Sequence, residues 1–229
     1  MKKEKIQKKQ KTQKEEFADA NPILSSIAKA RESSKPRGFP QTWDFIINFK
    51  GLNMKKPENR FTIDVTLPKG RAREPTVVIF ADSIATEAAK VANVVVRKDE
   101  IPTLAKDKKR MGEVTGCDIF MGEASLMALI GKELGQLLAP RGKMPRPIPP
   151  NVKLDAFVSA AKKSMRISLK ENPTIHTAVG NDRMADADVA ANADAVFTAV
   201  RDKLPKGINN IKSVIVKLTM GKPVKVAVK

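Results

Sequence analysis

The sequence predicts an α/β protein of two domains, one assembled from both ends of the chain and the other inserted at about residues 71–153. Three observations carry this. Stretches that alternate apolar and polar residues, at 60–67 and 212–220, lie towards the two ends, as in strands buried on one face. A nearly continuous apolar run at 76–81, TVVIFA, sits in the middle, as in a strand covered on both faces. Two proline-rich connectors, 68–75 and 139–151, separate the two kinds of strand.

Residues 1–16 are mostly Lys, Gln and Glu with almost nothing apolar, a solvated helix or a disordered tail, so 1–20 stand apart as a basic N-terminal extension. Asn21-Pro22 opens a short helix through Ile23, Ile27 and Ala30: the asparagine caps and the proline occupies the first turn. Strands follow at 43–49 and 60–67. After the first connector, strands at 76–81, 94–96 and 117–121 alternate with helices at 83–92, at 100–114 after a break at Pro102, and at 124–138. On the last of these, Leu126, Leu129, Ile130, Leu134 and Leu137 form one stripe. This alternation implies a small parallel sheet with helices on its faces. The second connector, APRGKMPRPIPPN, holds five prolines and is expected to form no regular structure. Beyond it come a helix at 154–165, strands at 166–169 and 173–179, and a helix at 186–204. Residues 21–70 and 154–229 thus make the first domain, and 71–153 the second.

The chain ends in a hairpin. Val214, Val216, Leu218 and Met220 fall on one face of its first strand, with Ser213, Ile215, Lys217 and Thr219 opposite; Val224, Val226 and Val228 resume the pattern after Gly221-Lys222-Pro223. Hydroxyls, ammonium groups and a glycine that permits close approach suit a phosphate-bearing partner. The same pattern also serves any hairpin with one wet side.

Composition narrows the function. The 229 residues are 41% hydrophobic, enough for a core, and carry a net charge of +18 with a pI near 10.0. That points to a polyanion, nucleic acid before an anionic membrane surface. The inserted segment 71–153 has 14 basic and 10 acidic residues, so most of the excess lies outside it. No apolar run is long enough to span a bilayer, and the basic start has no apolar core of the secretory kind. Cys117 and His176 are single, which leaves a metal site without ligands and allows a Ser-His-Asp triad only through His176. Gly131-Lys132 lacks the spacing of a phosphate loop. Neither an enzyme nor a cofactor is expected. Two alternatives stay open: a generic basic nucleic-acid-binding module, and a nucleotide-dependent enzyme using the middle domain.

Ser213 followed by Thr219-Met220-Gly221 resembles the C-terminal hairpin of the universal ribosomal protein of the large-subunit mobile stalk, the "L-one" family, with Lys222 where proline is usual. Leu134-Gly135 through Pro147 is similar to that family's signature, in the archaeal form Lys143-Met144-Pro145, with Ala139 in place of glycine. Arg37-Gly38-Phe39 with Thr42 and Asp44, Thr174-Ile175-His176 and Gly180 extend the likeness over nearly the whole chain after residue 20.

The resemblance implies a discontinuous split-βαβ domain carrying an inserted three-layer α/β domain. It implies a structural protein of the large ribosomal subunit, cytoplasmic, free of membranes and monomeric when unbound. Its first domain would bind the mobile stalk of the large-subunit rRNA beside the exit-site tRNA, and also the leader of its own mRNA as a translational repressor. Residues carried over as RNA contacts are Phe39, Thr42, Asp44, Ser213, Lys217, Thr219, Met220 and Gly221. Arg37, Arg141, Gly142 and Lys143 are candidates for RNA contact or a hinge. Thr, Ser and the backbone at Gly221 would donate to 2′-hydroxyls and phosphates, while Phe39 and Met220 exclude water.

Overall fold

The computed structural model describes residues 21–105, 107–149 and 153–227. The chain divides into two compact units: residues up to Arg73 together with Lys163–Lys229, and Glu74–Lys162 between them. The expected extension at 1–20 and Val228 lie outside the described residues.

In the first unit, helix α1 (Pro22–Glu32) starts where Asn21, extended at φ −133°, accepts a bond from the Ile23 amide. The Asn21 side chain also donates to Asp194 at 2.7 Å, tying α1 to helix α7 (Asp186–Lys203). Strands β1 (Thr42–Phe49), β8 (Thr174–Asn181), β9 (Ile211–Leu218) and β10 (Val224–Val226) form an antiparallel sheet in the order β10-β9-β1-β8. Strands β2 (Phe61–Thr66) and β7 (Ser164–Leu169) pair as a separate antiparallel ribbon. Alternation along β1 buries Trp43, Phe45, Ile47 and Phe49 against Ile23 and Ile27 of α1 and Val189, Ala193 and Val196 of α7. Each large side chain so buried contributes about 1.5–3 kcal/mol. The other sheet face stays half open, because α1 and α7 share one core with the inward residues.

The second unit is a parallel sheet in the order β4-β3-β5-β6, from β3 (Val77–Ala81), β4 (Val94–Arg97), β5 (Ile119–Glu123) and β6 (Arg146–Ile148). Every residue of β3 is buried: Val78 and Phe80 enter one core, Val77, Ile79 and Ala81 the other. Helices α3 (Ile101–Leu104), α4 (Lys108–Gly116) and α5 (Met127–Leu138) cover the first face; α2 (Ala85–Val91) and α6 (Leu154–Lys163) cover the second. This is the three-layer α/β fold with the small parallel sheet that the sequence predicts.

Four details differ from expectation. The return to the first unit falls at Lys163, not 154, because Leu154, Val158 and Ala161 bury against Ile79 and Met121 of the second. Pro102 opens α3, where its missing N–H costs nothing, and the next helix starts afresh at the Asp107 cap. The buried stripe of α5 is Ile130, Leu134 and Leu138, in line with Leu126, while Leu137 is exposed. The second connector contains a strand, β6. Pro147 is tolerated there because β6 is an edge, where one side needs no ladder donors.

Candidate nucleic-acid interface

The open face of the four-stranded sheet presents its residues in rows fixed by strand register. Ser213 of β9, Asn48 of β1 and Thr174 of β8 lie side by side: Asn48 Nδ2 donates to Ser213 Oγ at 3.0 Å, and Thr174 Oγ1 donates to Asn48 Oδ1 at 3.2 Å. The next row is Lys225, Ile215, Ile46 and His176, and the next Lys217, Asp44 and Ala178. A bulge between Trp43 and Asp44 then shifts the β1–β8 register before its last two pairs, Trp43 with Gly180 and Thr42 with Asn181.

At that end the chain closes on itself. Thr219 N donates to Thr42 O at 3.0 Å, Thr42 N donates to Thr219 Oγ1 at 3.1 Å, and Thr219 Oγ1 donates back to Thr42 O at 3.2 Å. Met220 N donates to Gln41 Oε1 at 3.1 Å, and Gly221 N to Leu218 O at 2.8 Å. The three consecutive amides of the turn are therefore consumed within the protein. This corrects the expectation that the Gly221 backbone donates to RNA. The glycine has an internal reason too: a Cβ there would stand 3.1 Å from both Leu218 Cβ and Ser34 Oγ. Met220, expected on the inner face, lies beyond the last residue of β9 and is 60% exposed; Phe39, before β1, is 48% exposed.

Lys217 Nζ donates to Thr219 O at 3.1 Å and lies 3.9 Å from Asp44 Oδ2. Burial pushes the Asp44 carboxyl above its usual range, and the positive charges of Lys217 and His176 offset part of this. Phe39, Thr42, Asp44, Lys217, Thr219, Met220 and Gly221 thus share one end of the sheet, with exposed Arg37 in the loop that leads into it. Ser213 sits on the same face four residues back along β9, about 13 Å away at the usual strand rise.

Arg141, Gly142 and Lys143 belong to the second unit. Lys143 Nζ donates to Thr115 O at 2.6 Å and Cys117 O at 2.9 Å, and stands 5.7 Å from the Phe120 ring centroid. Its charge is committed to the fold, against the RNA or hinge role expected of it. Gly142, at φ 67°, takes the left-handed conformation that ends α5, where the Lys143 amide reaches back to Leu138 O at 3.0 Å. Arg141 is exposed.

Sequence reasoning missed Gln41 and Arg31. Gln41 is only 4% exposed; its carbonyl accepts from Asp182 N at 2.8 Å and its side chain holds Met220. Arg31 packs its guanidinium 5.5 Å from the Trp43 ring centroid and donates to Asp186 Oδ1, Asp182 O and Met184 O. Neither belongs to a local pattern, because both act between segments distant in sequence.

The described residues contain no group of three metal-ligating side chains and no helix long and apolar enough to cross a membrane. At the carboxyl ends of β3 and β5, where open α/β sheets bind ligands, Glu123 accepts bonds from Asp82 N, Ser83 N, Ser83 Oγ and Ser125 Oγ. The Ser83 hydroxyl and the Asp82 amide hold its carboxyl below the usual range. A fixed negative charge in that crevice opposes a nucleotide phosphate, against the enzyme alternative.

The fold is that of a discontinuous α/β protein whose first unit presents a half-open sheet with a polar end. Residues 24–222 match the ribosomal protein L1p/L10e family, and the chain belongs to that family. It is 40% identical to the large ribosomal subunit protein uL1 of Methanothermococcus thermolithotrophicus, over 91% of this chain and 99% of the relative. The uL1 proteins of Methanocaldococcus jannaschii and Thermococcus kodakarensis are also 40% identical, over 91% of this chain and 96% and 98% of theirs. The likeness is to the archaeal form, and a ribosomal protein family assigns the chain no catalytic role.

Proposed function

We propose that this chain is a structural component of the large ribosomal subunit, working in the cytoplasm, and that its first unit grips the mobile-stalk helix of the large-subunit rRNA. The archaeal relatives, named as large-subunit proteins, align over nearly their whole length. The Thr42–Thr219 closure supports the placement of the contact: it fixes a rigid polar edge, and the exposed Phe39 and Met220 flank it in sequence. Apolar side chains beside such an edge exclude water from the bonds made there, and a helix of A-form RNA is gripped by shape and ribose contacts. Asp44, Lys217 and Ser213 continue the contact along the open face. The free protein is a monomer in this reading. The same surface binds the leader of its own mRNA and so represses translation, and the bound protein stands beside the exit-site tRNA.

Competition binding at elevated salt tests this. Labelled stalk RNA is challenged with unlabelled duplex RNA and with scrambled stalk. Binding that survives both and weakens on Thr219→Ala supports the reading. Equal competition by both, with affinity falling by about 0.7–0.9 log units per log unit of salt for each phosphate neutralised, leaves a generic basic module. Failure of the free protein to bind its own leader RNA removes the repressor role alone.

A further inference from the structure

Two buried side-chain atoms among the described residues have no hydrogen-bond partner: Trp43 Nε1 and Asp182 Oδ1. One is a donor and the other an acceptor. Folded proteins rarely leave such atoms unpaired. The two belong to one corner of the first unit. Trp43, 0% exposed, stands opposite Gly180 in the β1–β8 ladder, and Asp182 N continues that ladder by donating to Gln41 O at 2.8 Å. A Cβ on Gly180 would lie 3.0 Å from Val189 Cγ2, so that position faces the core in which Trp43 is buried. Asp182 is two residues further on and returns to the same side by strand alternation. It is thus a diagonal neighbour of Trp43, with Cα atoms about 7–8 Å apart, within reach of an aromatic side chain. Arg31 joins the pair from the helix side: its guanidinium is 5.5 Å from the Trp43 ring centroid, and Nη1 donates to Asp182 O at 2.9 Å.

We propose that this corner is a binding site for one buried water molecule, which accepts from Trp43 Nε1, donates to Asp182 Oδ1, and so ties the start of β1 to the turn after β8. Water alone suits both atoms. It accepts and donates at once, and two ordinary hydrogen bonds let it bridge atoms about 5.5–6 Å apart. A cation would face the indole N–H and the Arg31 guanidinium, and an anion would face the Asp182 carboxylate, so an ion of either sign satisfies one atom at the expense of the other. The site needs no RNA and stands whether or not the sheet end binds one.

The test uses the full chain. Trp43 is the only tryptophan, so the protein has one indole N–H signal in its NMR spectrum and no assignment problem. A water held against it should give a through-space cross-peak at the water frequency, with the sign of a molecule tumbling with the protein, while the N–H itself exchanges slowly. A crystal structure that shows ordered solvent should place one water within hydrogen-bond distance of both Trp43 Nε1 and Asp182 Oδ1. Asp182→Ala removes one anchor: the cross-peak should weaken, and loss of one hydrogen bond predicts indole N–H exchange faster by about three- to tenfold. Asp182→Asn retains an acceptor oxygen and should keep the cross-peak. A wild type without the cross-peak overturns the proposal. So does a crystal structure with Trp43 Nε1 bonded directly to Asp182 Oδ1, or with a water that touches only one of them. An Asp182→Ala variant with unchanged cross-peak and unchanged exchange overturns it as well. Should that variant not fold, the two wild-type measurements decide the matter by themselves.

Discussion

Thr42 and Thr219, 177 residues apart, are joined by three hydrogen bonds, two of which use the Thr219 hydroxyl as donor and as acceptor. In the next rung of the β1–β9 ladder after Leu218, the hydroxyl takes the place of the Thr219 carbonyl as acceptor for the Thr42 amide. Thr219→Ala removes both side-chain bonds at a solvent-exposed site, so a loss of about 1 kcal/mol in stability is expected, with the fold retained. Stalk RNA affinity should fall by roughly tenfold if the edge is the contact. Thr219→Ser keeps the hydroxyl and should restore most of both. Urea denaturation followed by the single tryptophan, Trp43, gives the first number and filter binding the second.

Lys143 offers the opposite case, a cation in the signature-like segment that the fold itself consumes. Its ammonium satisfies the Thr115 and Cys117 carbonyls beside the Phe120 ring. Lys143→Met should destabilise the second unit by about 1–3 kcal/mol, since bonds to a charged donor are lost and two carbonyls are left unpaired. Cys117, buried and the only thiol, reports opening of that unit through its reaction rate with a disulfide reagent; Trp43 reports the other unit. Faster thiol reaction with an unchanged Trp43 transition and unchanged RNA affinity is the expected pattern. A large fall in RNA affinity without faster thiol reaction would restore Lys143 as a contact.

These two residues show what the sequence makes legible. Alternation at 212–218 and the buried run at 77–81 give the two kinds of sheet, because side-chain period and burial are local properties. Thr219 stands out through its place in a hairpin motif. The bonds that decide its role do not, since Thr42 comes from the other end of the chain. Pro147 hides β6 because the rule against proline in strands lapses at an edge. Lys143 reads as a surface cation because a count of charges carries no information on which carbonyls lie within reach.

Asp44 makes the sheet end sensitive to pH. Burial raises its carboxyl above the usual 3.8, with Lys217 and His176 pulling the other way. A raised folded value means the protonated form is favoured by folding: that contribution is full below 3.8 and is lost as pH rises through the folded value. Asp44→Asn has no such loss. The stability of the variant relative to wild type should therefore increase with pH across the interval just above 3.8 and stay level beyond it. Urea midpoints read through Trp43 at a series of pH values test this; a difference that does not vary with pH would contradict the burial of the charge.

Glu123 in the second unit has the reverse sign. The Ser83 hydroxyl and the Asp82 amide, with further bonds from Ser125 and the Ser83 amide, lower its carboxyl from the usual 4.5 against the opposing effect of burial. Its contribution is present above 4.5 and is lost as pH falls through the depressed folded value. Glu123→Gln keeps the shape but turns one amide nitrogen towards a set of donors, so the second unit should melt lower than wild type at neutral pH. The gap should narrow below pH 4.5 and close once the wild-type carboxyl is protonated. Methyl NMR signals of Met121 and Ile130, both in the cores of that unit, follow its melting separately from Trp43. A gap of equal size at pH 7 and below the folded value would mean that the carboxylate charge contributes nothing, and that the strand ends are held by packing alone.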